Sequence, residues 1–422
     1  MKTLVKNIFL ISCLTIVILF SSTKFLTAAN TDSLKAEIIS AINDGANYAS
    51  DVLLDQDGKS RCDYNWMEGK WFAYETPWHT GQIIWGLVDA YKITKNEKFL
   101  DNAKRAGDWW CGLQIKDNPK LNGMLKAVHG DGINYIVFAT VTDGTPGLFE
   151  LYRTTGIKKY AEVPTTAGKW MLKHMYVPKE RVFYDLVDPV TGEVLKGNSP
   201  FWVNKKVQTL FDVARPNNEG FMYKDMYEFT KDEKYKKVFI ELCESLVEKQ
   251  GAEGVWMDFM PNNKEEGSFH PRFSIWYAES LVEGYELTHD KRYLDAAVKT
   301  ARVFAKVQMK DGTIFYKNYT SGKKNQNSIC GSATSFAGIL WLRLIKAGVG
   351  DEFKGNVERS LGFVLKNRFP LNHPDKNLAG GFFETRMRSK NGHIWFTARE
   401  DIATSFGLRF LSDYYVYKFG EK

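Results

Sequence analysis

Five of the seven histidines, His79, His129, His270, His373 and His393, fall where the helical pattern of the chain lapses. The same stretches hold Trp78, Trp202, Arg215, Asn217, Asn218 and Glu219, and then Arg272, Trp276, Tyr277, Glu384, Arg386, Trp395, Arg399 and Glu400. Imidazoles and phenols exchange protons, guanidinium and amide groups hold carboxylates, and indoles stack on sugar rings. Several of these residues stand where a helix begins, and the free N–H groups there favour anions. Arg272 runs against that rule, because a cation at a helix N-terminus opposes the dipole and caps nothing, which points to function. For any other single residue a cap or a rim ion pair serves as well. Their joint placement carries the weight. His174 ends a helix and His289 sits in a short turn, so both read as solvated.

Other chemistries find little support. No His-Glu-x-x-His, dense His/Asp cluster or calcium loop is present, so no metal is expected. Gly-x-Ser-x-Gly is missing, and Gly331-Ser332-Ala333 reads as a helix start. Without Gly-x-Gly-x-x-Gly or a phosphate loop, no nucleotide cofactor is expected either.

The elements that must position these groups form a repeat. An apolar helix, a polar or Gly break, an aromatic residue and a second apolar stripe recur at 87–110, 148–171, 226–246, 281–304 and, more weakly, 340–364. The aromatics are Phe99, Tyr160, Tyr235, Tyr293 and Phe353, spaced by 61, 75, 58 and 60 residues. Two further helices, Leu34–Leu54 and about Arg399–Tyr417, make a sixth hairpin if they pair and close a ring. The expected fold is all-α, an (α/α)6 toroid forming one domain over 30–422, with a seventh hairpin if the 175–216 insertion hides one.

Turns within hairpins are short, whereas the returns between them are long: 55–77, 115–141, 175–216, 250–269, 308–330 and 368–398. In an up-down ring all long returns share one face, where function usually sits. Turn signals at Asp131-Gly132, Asp311-Gly312, Asn391-Gly392 and Asp188–Gly192 predict β-hairpins over that rim.

Residues 1–29 read as a cleaved export signal, with Lys2, Lys6, an apolar run Ile8–Phe20 and small residues at Thr27-Ala28-Ala29. The run is too short to favour a permanent span, so a secreted or periplasmic protein without stable membrane association is expected. Removing the signal takes three Lys and no acid, lowering the net charge from +7 to +4 (7 − 3). That suits an acidic polymer, and no basic tract suggests nucleic acid. Aromatic residues make up 14% of the chain; most must be core, and a surplus of Trp and Tyr also suits a groove that stacks sugar rings. Of the four remaining cysteines, Cys111 and Cys243 read as core; Cys62 and Cys330 lie in loops, paired or not.

With its hairpin repeats, Asn217-Asn218 and His270-Pro271-Arg272…Tyr277, the chain resembles exported helical-toroid lyases of uronic-acid glycans, such as alginate and glucuronan lyases. Val255-Trp256-Met257-Asp258-Phe259 gives a more distant likeness to unsaturated glucuronyl hydrolases, but Arg and Tyr stand where those enzymes open the next helix with an acid. The resemblance implies β-elimination, with Arg272 and Asn218 or Asn217 neutralising the uronate carboxylate. Tyr277 would protonate the leaving oxygen, and Tyr277, His270 or His129 would take the C5 proton. Trp78, His79, Trp202, Arg215, Trp276, Glu384, His393 and Arg399 would bind an acidic polysaccharide or oligosaccharide. The alternatives are a hydrolase using Asp143 or Asp258 as acid, a sugar epimerase, and a glycan-binding protein without turnover.

Overall fold

Three of the hairpins turn on the same device. In Thr94-Lys95-Asn96, Thr230-Lys231-Asp232 and Thr288-His289-Asp290 the hydroxyl donates to the carbonyl four residues back and accepts the N–H two residues on. The middle residue is left-handed, with φ of 58°, 59° and 59°. The Asn or Asp accepts an N–H from the next helix and caps it. Thr155-Gly156-Ile157 repeats the turn with glycine in the left-handed position. Local chemistry thus reverses the chain after four of the six inner helices.

The computed structural model describes residues 31–202, 208–216, 221–259, 261–323, 326, 328–390, 393–398 and 400–420. The stretch 1–29 and Asn391-Gly392 fall outside them. Helix α1 covers residues 31–48 and runs on into a π turn, Ala49–Leu53. It is followed by α2 (Thr76–Thr94), α3 (Glu97–Gly112), the short α4 (Phe138–Thr142), α5 (Thr145–Thr155) and α6 (Lys159–His174). Next come α7 (Met222–Thr230), α8 (Glu233–Lys249), α9 (Pro271–Thr288), α10 (Lys291–Val307), α11 (Gly331–Lys346), α12 (Lys354–Lys366) and α13 (Glu400–Phe419).

Helices α2, α5, α7, α9, α11 and α13 form the inner ring, and α1, α3, α6, α8, α10 and α12 the outer one. The first and last helices pair as the sequence predicts: the turn after α1 packs on α13, and Lys35 lies over the Tyr415 ring. The fold is an (α/α)6 toroid. The 175–216 insertion forms short strands and 3-10 turns, and no seventh hairpin is found among its described residues. Phe99, Tyr160, Tyr235, Tyr293 and Phe353 are all buried wedges. Tyr160 and Tyr293 also reach Asp108 and Glu244 on the preceding outer helices.

Short strands brace the returns: β1 (Asp63–Asn65), β2 (Lys70–Phe72), β3 (Val128–Gly130), β4 (Ile133–Val137), β5 (Tyr176–Val177) and β6 (Val182–Tyr184). They continue with β7 (Leu186–Val187), β8 (Ala214–Arg215), β9 (Ser268–Phe269), β10 (Asn318–Tyr319), β11 (Thr385–Lys390) and β12 (His393–Ala398). The order β11-β12-β1-β2 ties the last return to the first, with Tyr64 opposite Ala398. The two-residue turn Asp131-Gly132, with φ of 52° and 83°, joins β3 to β4 as expected of a primed hairpin turn. The Asp188–Gly192 loop is closed by a Val187–Val194 bridge, and Asp311-Gly312 turns between the bonded Met309 and Thr313.

Towards the short-turn end the ring is filled with ion pairs instead of apolar side chains. Arg409 on α13 lies 3.4 Å above the Trp85 ring and pairs with Glu279 on α9 at 3.1 Å. Arg343 on α11 reaches Glu279, Glu283 and Glu286, and Lys224 on α7 joins Glu283 at 2.8 Å. Arg153 on α5 binds Asp225 and Glu228 of α7 and Glu150 of its own helix, and Lys92 on α2 binds Glu150 and Asp89. All six inner helices enter this chain.

Burial pushes the Asp89 carboxyl up to about 7 despite Lys92, whereas at Glu283 the Arg343 and Lys224 charges overcome burial and hold it down at about 2. The unfolded Asp89 carboxyl ionises near pH 4, so its contribution to stability falls as pH rises from about 4 to about 7. Glu283 works in the opposite sense: its contribution is full above about pH 4.5 and is lost towards pH 2. Asp89→Asn should raise Tm by ~2–4 °C at pH 8 and leave it nearly unchanged at pH 4. Thermal unfolding at the two pH values checks this.

Candidate functional site

All six returns converge on one cavity of about 230 Å³. In chain order they bring Tyr74 and Glu75; His129, Asp131 and Asp143; Phe201 and Arg215; Pro261 and His270; Tyr316; and Arg386. The first turn of α2 and the first two turns of α9 supply the floor, with Trp78 and Trp276 set edge to face at 6.0 Å and Arg272 over Trp78. The gathering of long returns at one face follows from the alternating ring and was expected.

Arg272 is 2% exposed and is held from behind. Its Nη1 donates to Glu384 at 3.2 Å and to Ser332 Oγ at 2.8 Å, and lies 3.3 Å from the Tyr316 hydroxyl. The Tyr316 phenol also donates to Glu384. The other oxygen of Glu384 accepts the Ser332 N–H in the first turn of α11, at 2.7 Å, where the helix dipole favours an anion. Glu384 is therefore a fully buried anchor behind the cavity, not a residue that lines it. Cys330 lies 3.7 Å from Arg272, and burial pushes its thiol up to about 11, so it stays neutral. Arg215 is bound at two points by buried Asp185, at 2.7 and 2.9 Å. Both guanidiniums are fixed in direction by carboxylates outside the cavity lining, which is how a site is preorganised for charge.

On the α2 side, His129 Nδ1 lies 2.9 Å from the Gly130 carbonyl, and Nε2 lies 3.6 Å from Glu75. Asp143 is brought there by a glycine seam. A Cβ on Gly81 of α2 would come within 2.3 Å of the Gly144 backbone, and one on Gly147 within 2.1 Å of the Gly81 carbonyl. Only glycines let α2 and α5 approach so closely.

Several sequence expectations change. Tyr277 is 0% exposed, packs against Trp256 and Phe259, and does not line the cavity. Five residues advance a helix by about 140° past Arg272, whereas four bring Trp276 to about 40° from it. Trp276 therefore shares the cavity face and Tyr277 turns into the core. His79 is likewise buried, one step around α2 from Trp78. Burial opposes its charge, but Asp401 and Cys62 overcome this and hold its pKa up at about 10. Its ring braces Trp78 and Tyr74 from behind. Asp258 is ion-paired with Lys264 away from this cavity.

His129, His270, Arg272, Trp78, Trp276 and Arg215 do line it. Asn217, Asn218 and Arg399 lie outside the described residues, as do the side chains of Trp202 and His393. Sequence reasoning missed Glu75, Tyr74, Phe273 and Tyr316. The available signal for Tyr316 was a strand-like aromatic run in a long return, and for Glu75 its place just before Thr76-Pro77.

Cys62, His79 and Asp401 are the one group among the described residues whose possible ligand atoms lie within 4.8 Å of one another. The His79 nitrogen that faces Asp401 is engaged in a hydrogen bond, and thiol, imidazole and carboxylate form a buried chain. The four described cysteines are free thiols, so Cys62 and Cys330 form no disulfide. Cys243 is buried as expected, and Cys111 is half-buried.

No protein-family profile and no curated protein matches the chain. Solved structures do resemble it. A cellobiose 2-epimerase from Bacillus thermoamylovorans aligns with TM-score 0.65 and 16% identity, over 88% of this chain and 98% of that one. A D-mannose isomerase gives 0.64 at 12% identity, over 89% and 96% of the two chains. An unsaturated glucuronyl hydrolase specific for heparin gives 0.62 at 12% identity, over 92% and 98%. At such identities the likeness establishes the toroid fold.

The Arg272–Glu384 pair gives a prediction. Glu384→Gln leaves a buried guanidinium without its anion and should cost about 3–5 kcal/mol of stability. Denaturant unfolding of the purified variant measures it.

Proposed function

We propose that the protein is a carbohydrate-active enzyme that cleaves a uronate-containing glycan by β-elimination. The observation that carries this reading is the meeting of Arg272 and the Tyr316 phenol on buried Glu384, beside His270, whose ring is 5.5 Å from that of Tyr316. A uronate carboxylate facing Arg272 would accept the charge that develops when C5 loses its proton. The Tyr316 phenol would protonate the departing O4, the role the sequence assigned to Tyr277. An imidazole would take the C5 proton, and His129 and His270 both line the cavity. The aromatic floor of Trp78 and Trp276 suits a sugar face. The cavity lies just below the usual ~300–1,000 Å³ of small-ligand sites, which suits a single sugar unit better than a long bound chain.

One observation favours a second reading. Asp143, 5% exposed, presents a carboxyl to the same cavity. A carboxylic acid there could protonate an unsaturated uronyl unit and start its hydrolysis, and one of the structural neighbours is an unsaturated glucuronyl hydrolase. Residues 1–29 support export to the periplasm or medium, and no described helix is long and apolar enough to cross a membrane.

Absorbance of the C4–C5 double bond separates the readings. Incubation with alginate, glucuronan or pectate should raise it, whereas a hydrolase would instead lower it on unsaturated oligosaccharides. No change in either assay rejects both. Tyr316→Phe should lower kcat by about 10²–10⁴-fold, and Tyr277→Phe should leave it within about threefold of the parent.

A further inference from the structure

We infer that His129, oriented by Glu75, is the base of the proposed elimination, acting from the wall opposite Tyr316. The inference rests on the elimination reading and deepens it by assigning a substrate stereochemistry. In the inner ring α2 and α9 are separated by two helices on either side, so they face each other across the cavity, and Trp78 and Trp276 meet between them. Glu75 and His129 stand at the α2 wall, whereas Arg272, His270 and Tyr316 stand at the α9 wall.

Three details select His129. Its Nδ1 faces the Gly130 carbonyl, which can only accept, so the proton sits on Nδ1 and the Nε2 lone pair is left for the substrate. Glu75 Oε1 lies 3.6 Å from Nε2 and accepts from the Thr140 hydroxyl at 3.3 Å, so a carboxylate is fixed beside the nitrogen that takes the proton. Glu75 itself is held in a left-handed conformation, φ 44° and ψ 34°, a strain typical of side chains placed for function. Its N–H is bonded to the His129 carbonyl at 2.7 Å, which locks the two residues together. His270 is less suited: its ring is 5.5 Å from that of Tyr316, so it shares the wall of the proposed acid.

In the step, Nε2 removes the proton from C5, and the C–H electron pair becomes the C4–C5 π bond. The C4–O4 bond breaks with its pair going to oxygen, which takes the phenolic proton of Tyr316 as that hydroxyl gives up its bond to Glu384. The imidazolium then loses its proton to solvent and the phenolate regains one, so no oxidant or reductant is needed. A base and an acid on opposite walls act on opposite faces of the sugar. This selects uronates whose H5 and O4 are anti, as in galacturonate, guluronate and iduronate, over the syn arrangement of glucuronate and mannuronate.

The test uses the full purified chain on polygalacturonate, polyguluronate, polymannuronate and glucuronan, followed by double-bond absorbance. At least about 100-fold higher kcat/KM on one of the first two than on either of the last two is expected. Turnover confined to the syn pair, or equal on both, overturns the inference and leaves the elimination reading standing. No double bond from any of the four rejects that reading instead. His129→Ala should lower kcat about 10³-fold with KM changed less than about threefold, and His129→Gln covers a folding failure. Retained turnover in a folded variant of either kind overturns the assignment. Glu75→Gln should lower kcat by about tenfold with KM changed less than about threefold, and Glu75→Asp should partly restore it. A folded Glu75→Gln variant with unchanged kcat, or with kcat and KM altered together and no rescue by Glu75→Asp, overturns its positioning role.

Discussion

The continuous ion-pair chain through the inner helices is the constraint on which the rest of the toroid depends. A ring of six helices leaves a hollow along its axis, and apolar side chains cannot fill it down to an end that meets water. Arginine solves this, because its guanidinium stacks on an indole while its edges serve carboxylates, as Arg409 does between Trp85 and Glu279. Ion pairs that cross from helix to helix also fix axial register, since a slip of one turn would strand several charges in a poorly hydrated interior. With one end locked in this way, the aromatic floor and the first turns of α2 and α9 are held for the cavity above.

At the open end the same physics is used sparingly. Arg272 and Arg215 each have a buried carboxylate behind them, Glu384 and Asp185, so their directions are set before a ligand arrives. Charge compensation limits net electrostatic pull, and orientation is gained in exchange. The Glu384 carboxylate joins a return to the N-terminus of α11, so the position of Arg272 depends on two elements far apart in sequence. The strained Glu75 makes the corresponding junction on the other wall, between α2 and the β3 strand.

His79 and Tyr277 are buried beside the cavity and do not line it. Both have chemically versatile side chains, and both adjoin a residue that does line the cavity. In each case a single step of about 100° around the helix separates the cavity-lining indole from the neighbour that turns into the core. Residue type and proximity in sequence therefore named the right turns of α2 and α9 but the wrong faces.

The sequence alone determined the hairpin repeat, the ring closure by first and last helices, the short Thr-x-Asn/Asp turns and the gathering of long returns at one rim. These rest on helical periodicity, capping and loop length, all encoded within a few tens of residues. It also named Arg272, His129, His270, Trp78 and Trp276 as cavity residues, because functional side chains cluster where returns meet helix starts. Tertiary structure alone decided that Tyr316 and not Tyr277 stands beside Arg272, that Glu384 anchors from behind, and that Glu75 and His129 face them across the ring. Those relations join returns separated by tens to hundreds of residues, and their side-chain directions depend on how six helices pack together, a quantity no local pattern carries.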